Sequence, residues 1–185
     1  MKLYGSYTSP FVRHCRIALL ETGLAYEFIE TDQAGSAAQS PTKRVPFLED
    51  GDIFLTDSSS ILKHIREKAG TAFLSSASEL DLFSMINTAL DTTVNLFFLE
   101  RDGVDLQAYE YTRRQAARIE SSLAELNALT LPTQAPYSDV ELRLACYLFW
   151  GLFRKRINID AHENLQRFLA GIDKYKPFAD TAPPV

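Results

Sequence analysis

The sequence predicts a mixed α/β domain followed by an all-helical domain. Up to about residue 72, short apolar segments alternate with helical patterns in the order β-α-β-loop-β-β-α. From about Glu79 onward, only helical periodicity appears. A chain of 185 residues is long enough to form one large domain or two small ones. We therefore predict an α/β domain over residues 1–72 and a helical domain over residues 78–185.

The first domain opens with a short strand from Lys2 to Gly5. Ser9 and Pro10 then form a typical helix start, with a serine cap and proline in the first helical position. Gly23 is a typical residue to end that helix. The next segments predict a strand over 26–30 and, over 31–42, a loop with about one helical turn.

The segment from Lys43 to Ser60, KRVPFLEDGDIFLTDSSS, offers several groups that could bind a ligand. Pro46 forces Val45 into an extended conformation, so the main-chain N–H and C=O of Val45 can face outward and pair with an extended peptide. The alternative is an ordinary loop with a trans proline, which describes most such bonds. An antiparallel hairpin follows.

Asp57 and Ser58 open the next helix, and helix capping alone explains both residue types. The functional alternative is that the free N–H groups and the Ser58 hydroxyl hold a carboxylate, while Asp57 holds a neighbouring ammonium group. Such a pair suits the α-amino-acid end of a ligand.

The second domain is predicted to contain long helices. The periodicity indicates helices over 79–101 and 105–129, and Ser138 with Glu141 forms a capping box before a central, buried helix. A second box, from Asp160 to Glu163, predicts a last helix through Ile172, followed by an irregular tail.

Composition argues against several functional classes. The net charge is −5 and no dense basic run occurs, so a nucleic-acid partner is not expected. The N-terminus lacks the apolar core of a secretory signal, and the apolar stretch over 144–153 is too short to span a bilayer, so no membrane partner is expected. Two distant cysteines predict a reducing, cytoplasmic location. His64 and His162 lack partners at ligand spacing, so we predict no metal site.

Four motifs together resemble the cytosolic glutathione transferases, and in particular their bacterial serine-type members. The motifs are SPFVRHCRIAL, KRVPFLEDG, TDSSSILKHI and YSDVELRLACYL. The resemblance covers nearly the whole chain and implies a thioredoxin-like first domain, a cis Val45-Pro46 bond, glutathione as co-substrate and a homodimer. Two departures are that Lys43 stands where the family has glycine and Arg44 where it has lysine. The helical half is also shorter than is common.

The resemblance also implies roles for individual residues. Ser9 would donate a hydrogen bond to the glutathione sulfur and stabilise its thiolate. Val45, presented by Pro46, would pair its main chain with the cysteinyl part. Two pairs of residues would bind the two ends of the tripeptide. Asp57 and Ser58 would bind the γ-glutamyl end, and Arg44 with Lys43 would bind the glycyl carboxylate.

Alternatives to these roles remain open from the residues alone. Ser9 could serve only as a helix cap, and Tyr7 could be the sulfur's donor. Cys15 lies inside the first helix and should pack as a small hydrophobic residue. Arg13 and His14 are expected to have ordinary roles on the helix surface.

The predicted activity is attack of the glutathione thiolate on a small electrophilic molecule, as in detoxification. Glutathione-dependent reduction of a disulfide or peroxide is an alternative enzyme function. A non-catalytic protein-binding module with the same fold is the alternative from another class.

Overall fold

A computed structural model describes residues 1–184, which form two compact units. The first unit comprises Met1–Ser75 together with the segment that starts at Lys174, and the second comprises Ser76–Asp173. The four strands all lie in the first unit and are β1 (Lys2–Gly5), β2 (Glu27–Glu30), β3 (Phe47–Asp50) and β4 (Ile53–Leu55). The first unit's helices are α1 (Pro10–Thr22), α2 (Gln33–Gln39), α3 (Ser58–Lys68) and α8 (Lys176–Ala179). The second unit's helices are α4 (Ala77–Arg101), α5 (Glu110–Asn127), α6 (Asp139–Phe153) and α7 (Glu163–Ile172).

The strands form one mixed sheet in the order β2-β1-β3-β4. β1 runs parallel to β2 and antiparallel to β3, and β4 returns antiparallel to β3. The predicted fold class is confirmed: a thioredoxin-like α/β unit is accompanied by a helical one.

The two faces of the sheet are covered differently. On one face, the paired residues Leu3 and Leu48 are fully buried, and Gly5 allows Val12 of α1 to approach the strand. A Cβ at Gly5 would lie only 2.5 Å from a methyl group of Val12, so this close approach requires glycine. On the other face, the rings of Tyr4 and Phe47 stack with centroids 4.4 Å apart. The core of the unit is thus built on both sides of β1 and β3.

The ends of α1 follow the sequence. The Ser9 side chain caps the first turn, and Gly23 ends the helix with a left-handed φ of 65°. The segment after β2 differs from the prediction, because it contains the seven-residue helix α2 in place of a loop with about one turn. The Asp32 side chain accepts a hydrogen bond from the Gly35 N–H at 2.7 Å, and Ser36 is buried, which together stabilise a helix of weak intrinsic propensity.

In the second unit, α6 is the central helix, as predicted. The capping box is present: the Ser138 side chain accepts from the Glu141 N–H, and the Glu141 side chain accepts from the Ser138 N–H. The buried hydroxyls of Tyr147 and Thr93 are hydrogen-bonded at 3.0 Å, which links α6 to α4. Burial raises the pKa of Tyr147 to about 12, with the Thr93 hydrogen bond acting in the opposite direction.

Two predicted helix starts in this unit are wrong. α5 begins at Glu110, because the residues before it form a turn in which Asp105 accepts from the Gln107 N–H at 2.9 Å. α7 begins at Glu163 without a side-chain cap, so the predicted box from Asp160 is absent. The Asp160 carboxylate instead accepts from the Asn158 side chain at 3.0 Å.

The end of the chain also differs from the prediction. The tail expected to be irregular contains the short helix α8, and it belongs to the first unit and not to the helical one. Phe178 and Thr181 are fully buried there, and α8 packs against α1. Pro177 in the first turn favours a helix start, but a helix of four residues is stable only because it is buried against a helix more than 150 residues earlier.

Among the described helices, α4 is long and apolar enough to cross a membrane by length and composition alone. The core helices of soluble proteins meet the same criterion. Phe83, Ile86 and Leu90 of α4 are buried, and the helix packs against α5 and α6 within its unit.

Candidate functional site

Three segments that the sequence singled out leave the same end of the sheet. β1 ends at Gly5, and its neighbour β3 begins opposite Tyr4 at Phe47. β4 ends at Leu55, which pairs with Leu48 near the start of β3. The loop to Ser9, the loop from Lys43 and the loop to Asp57 therefore lie at this end, which we call the loop end of the sheet. The topology of the strands brings these loops together.

Ser9 is the N-cap of α1 and is partly exposed. Its hydroxyl oxygen accepts a long hydrogen bond from the Val12 N–H at 3.4 Å. A serine hydroxyl can also donate one hydrogen bond, and no acceptor for it lies among residues 1–184. Capping uses only the acceptor capacity, so the Ser9 O–H can still donate to an anion beside the helix N-terminus.

Tyr7, the alternative donor, faces a different neighbour. Its ring lies 4.7 Å from the ring of Phe28, which belongs to β2. The guanidinium of Arg16 lies over the Tyr7 ring at 4.7 Å. Because β2 and β3 flank β1 on opposite sides, the Tyr7 ring packs on the side of β1 away from the loop that carries Val45.

The Val45-Pro46 bond has the cis form expected from the sequence resemblance. Pro46 is buried and Val45 is half-buried. Within the described part of the chain, neither the N–H nor the C=O of Val45 has a hydrogen-bond partner. A partly exposed main chain without partners next to a strand can pair with an extended ligand.

The cations before Val45 are exposed to solvent. Lys43 has a left-handed φ of 53°, and its N–H donates to the Ser40 carbonyl at 2.9 Å. This conformation favours glycine, which accounts physically for the glycine found at this position in the family that the motif resembles. Lys43 and Arg44 together place positive charge at the loop end.

Asp57 and Ser58 begin α3. One carboxylate oxygen of Asp57 accepts from the N–H groups of Ser59, at 2.8 Å, and Ser60, at 3.2 Å. Asp57 is exposed, so its second oxygen can bind a cation as well. Ser58 is buried, and its carbonyl lies 3.9 Å from the Cys15 sulfur.

The residues along α1 are more buried than the sequence indicated. Cys15 is fully buried, as predicted for a small hydrophobic residue. The prediction that Arg13 and His14 lie on the helix surface is wrong, because both are buried. Arg13 lies against α8, and local sequence patterns could not predict this contact because Arg13 and Phe178 are 165 positions apart. Among residues 1–184, no group of three or more His, Cys, Asp or Glu side chains is arranged to hold a metal ion.

Comparison with known proteins identifies the first unit. Residues 3–73 match the family described as glutathione S-transferase, N-terminal domain. The first unit is therefore similar to the glutathione S-transferase N-terminal domain. The match covers the loop end of the sheet with Ser9, Val45 and Asp57, and extends through α3.

Relatives of the glutathione S-transferase family match different shares of the chain. The uncharacterized GST-like protein YibF of Escherichia coli is 45% identical over 35% of this chain and 35% of its own length. Glutathione S-transferase Z2 of Arabidopsis thaliana is 24% identical over 99% of this chain and 91% of its own length. Three other relatives, from maize and rice, align over 34% to 48% of their own length.

Solved glutathione S-transferase structures share the fold over both units. A family member from Pseudomonas fluorescens Pf-5, with bound glutathione, has a TM-score of 0.85 and 21% identity, covering 100% of this chain and 99% of its own. Maleyl pyruvate isomerase, described as a bacterial glutathione S-transferase in the Zeta class, has a TM-score of 0.78 and 18% identity, covering 99% and 97%.

Proposed function

We propose that the first unit binds glutathione at the loop end of the sheet and activates its thiol for attack on an electrophile. The observation that carries the proposal is the main chain of Val45, which has no hydrogen-bond partner among the described residues and lies at the same sheet end as Ser9 and Asp57. An extended tripeptide can satisfy both main-chain groups of Val45 with its own cysteinyl residue.

Ser9 is the proposed catalytic residue. A free thiol has a pKa of about 8.5, so only a few per cent is ionised at neutral pH. Lowering that pKa by about two units requires roughly 2.7 kcal/mol of preferential stabilisation of the thiolate. A hydrogen bond from the Ser9 hydroxyl and the positive end of the α1 dipole would supply this stabilisation together.

The charged groups of the loop end suit the two ends of the tripeptide. Asp57 retains one carboxylate oxygen that caps no N–H group, and it would bind the α-ammonium of the γ-glutamyl residue. The N-terminus of α3 at Ser58 would bind the neighbouring α-carboxylate. Lys43 and Arg44 would attract the glycyl carboxylate at the other end of the ligand.

The deciding experiment measures glutathione binding and the ionisation of its thiol in the complex. We expect binding by calorimetry at millimolar or lower glutathione, and ultraviolet absorbance should show a thiolate that forms below the pKa of free glutathione. S-methylglutathione, which has no ionisable thiol, is the matched control and should bind without the absorbance change. Failure to bind glutathione at millimolar concentration would remove the proposal.

The choice between Ser9 and Tyr7 as donor is tested by matched variants. Ser9→Ala should raise the thiol pKa in the complex and leave binding of S-methylglutathione nearly unchanged. Tyr7→Phe should leave the thiol pKa unchanged, because the Tyr7 ring packs on Phe28. The reverse pattern would make Tyr7 the donor.

A second candidate function is glutathione-dependent isomerisation of a double bond. It is supported by the near full-length match to a Z2 transferase and by the fold of maleyl pyruvate isomerase. The thiolate would add to one carbon of the double bond, the resulting single bond would rotate, and loss of the thiolate would restore the double bond. Glutathione is regenerated in this reaction, whereas conjugation consumes it. Incubation with an aryl halide and, separately, with maleylpyruvate, while following free thiol, distinguishes the two.

The remaining alternatives make distinct predictions in the same assays. A glutathione-dependent reductase would consume a mixed disulfide or a peroxide faster than an aryl halide. A protein-binding module would fail to lower the thiol pKa. We also propose that the chain forms a homodimer, as the family resemblance implies; sedimentation of the purified protein tests this.

A further inference from the structure

The segment over residues 174–184, which we call the α8 segment, is attached to α1 by a set of buried contacts. The Arg13 guanidinium stacks on the Phe178 ring at 3.7 Å and donates to the Phe178 carbonyl at 2.8 Å. It also donates from Nε to the Thr181 hydroxyl at 3.4 Å. Phe178 and Thr181 are fully buried and Arg13 is 3% exposed, so these contacts are shielded from water.

Arg16, one turn further along α1, contacts the same part of the α8 segment. Its Nη1 donates to the Thr181 carbonyl at 3.3 Å. The same guanidinium lies over the rings of Tyr7, at 4.7 Å, and Phe28, at 5.3 Å. Arg16 therefore links Thr181 to the loop before Ser9, because it lies over the Tyr7 ring. Arg13 links Thr181 to the first turn of α1.

The connection to Ser9 is direct on the helix side. The main-chain N–H of Arg13 donates to the Ser9 carbonyl at 3.0 Å, which is the first hydrogen bond of α1. On the other side, Tyr7 is only two residues before Ser9. The Ser9 N–H also donates to the Ser6 carbonyl at 3.1 Å, so the position of the Ser9 hydroxyl depends on the loop that contains Tyr7 as well as on the first turn of α1.

We propose that the α8 segment is a positioning device for Ser9, with Arg13, Arg16 and Thr181 as positioning residues. This inference rests on the proposed role of Ser9 in stabilising the glutathione thiolate. The contacts hold Tyr7 and the first turn of α1 in one arrangement, so that the Ser9 O–H points at the sulfur without the cost of ordering it in each binding event. These residues act through Ser9 and have no assigned contact with glutathione.

The test uses Thr181→Val and Arg13→Lys in the full chain. Thr181→Val keeps the side-chain shape but removes the oxygen that accepts from Arg13, and Arg13→Lys keeps the charge but loses the planar stack on Phe178. Both variants should raise the pKa of the thiol in the glutathione complex by about one unit, which lowers the thiolate fraction at pH 7 about threefold. Binding of S-methylglutathione should stay within about twofold of the wild-type value.

Two matched controls distinguish the positioning of Ser9 from a general role in attaching the α8 segment to α1. Thr181→Ser retains the hydroxyl and should restore the wild-type thiol pKa. Tyr175→Phe removes the hydrogen bond to Glu21 at 2.7 Å, near the far end of α1, and should leave the thiol pKa unchanged. Circular dichroism establishes that each variant is folded before the thiol is titrated.

Each outcome decides a specific point. If folded Thr181→Val or Arg13→Lys keeps the wild-type thiol pKa, or if Tyr175→Phe raises it equally, the positioning role is overturned while the proposed function stands. If the wild-type protein does not lower the thiol pKa, both the proposed function and this inference fail.

Discussion

The polar groups at the two ends of the sheet in the first unit differ in whether they have hydrogen-bond partners within the protein. At the end opposite the loop end, Asp50, the last residue of β3, is paired with Lys68, His64 and the N-terminal amino group. Its carboxylate accepts from His64 at 2.9 Å and from Lys68, and the amino group of Met1 lies 3.9 Å away. The hydrogen bonds from Lys68 and then His64 hold the pKa of Asp50 below its ordinary value, although burial acts in the opposite direction.

At the loop end, hydrogen-bonding capacity is left unused. The Ser9 hydroxyl has no acceptor among residues 1–184, and the Val45 main chain has no partner there. Asp57 caps α3 with one oxygen only. The comparison shows that Asp50 finds its partners within the fold, whereas in the proposed function the unused donors and acceptors of the loop end bind glutathione.

The largest expected effect comes from removing the Ser9 hydroxyl. In Ser9→Ala, we expect conjugation at neutral pH to fall by up to about 25-fold, the loss of thiolate at pH 7 if the thiol pKa returned from about 6.5 to about 8.5. Steady-state rates with an aryl halide check this. Ser138→Ala is the matched control: it removes a serine cap from α6, should cost about 1 kcal/mol of stability and should leave the rate unchanged. Equal rate losses in both variants would reduce Ser9 to a structural cap.

The next effect tests the charge of Asp57. Asp57→Asn keeps a good capping side chain but removes the negative charge, so glutathione affinity should fall about tenfold, or roughly 1.4 kcal/mol, with little change in stability. Asp57→Ala should lose both affinity and about 1 kcal/mol of stability. Calorimetric titration and denaturant unfolding measure the two quantities. Unchanged affinity in Asp57→Asn would contradict the proposed contact with the ammonium group.

A smaller effect, on stability alone, is expected at the opposite end of the sheet. Asp50→Asn removes the charge that Lys68 and His64 bind, and should lower the free energy of unfolding by about 1 kcal/mol, because Lys68 is partly exposed. Denaturant unfolding at neutral pH measures the loss. Glutathione affinity should not change; a parallel loss of affinity would show that the two ends are not independent.

The smallest effect is the acid dependence of the Asp50 contribution. Because the pKa of Asp50 is lower in the folded than in the unfolded chain, its stabilisation is present above the unfolded value of about 4 and is lost as the pH falls through the folded value. The stability difference between wild type and Asp50→Asn should therefore narrow as the pH is lowered below about 4. A difference that is constant with pH would mean that the Asp50 charge is not responsible.

Much of the first unit could be predicted because its signals are local. The Ser9 cap, the Gly23 helix end and the hairpin after Pro46 depend on backbone chemistry within a few residues, and each is present in the structure. The capping box at Ser138 is local for the same reason. The helix α2 was missed because its stability depends on the burial of Ser36 as well as on its cap.

By itself, the sequence determined the order of the strands and of the longer helices, the caps at Ser9 and Ser138, and the residue types offered at the loops. Only the tertiary structure decided which loops share a sheet end, that Arg13 is buried, and that Phe178 and Thr181 pack on α1 in the first unit. The physical reason is that caps and turns are satisfied by neighbours along the chain. The burial of a charged arginine, by contrast, is acceptable only beside partners that the chain brings from 165 or more residues away.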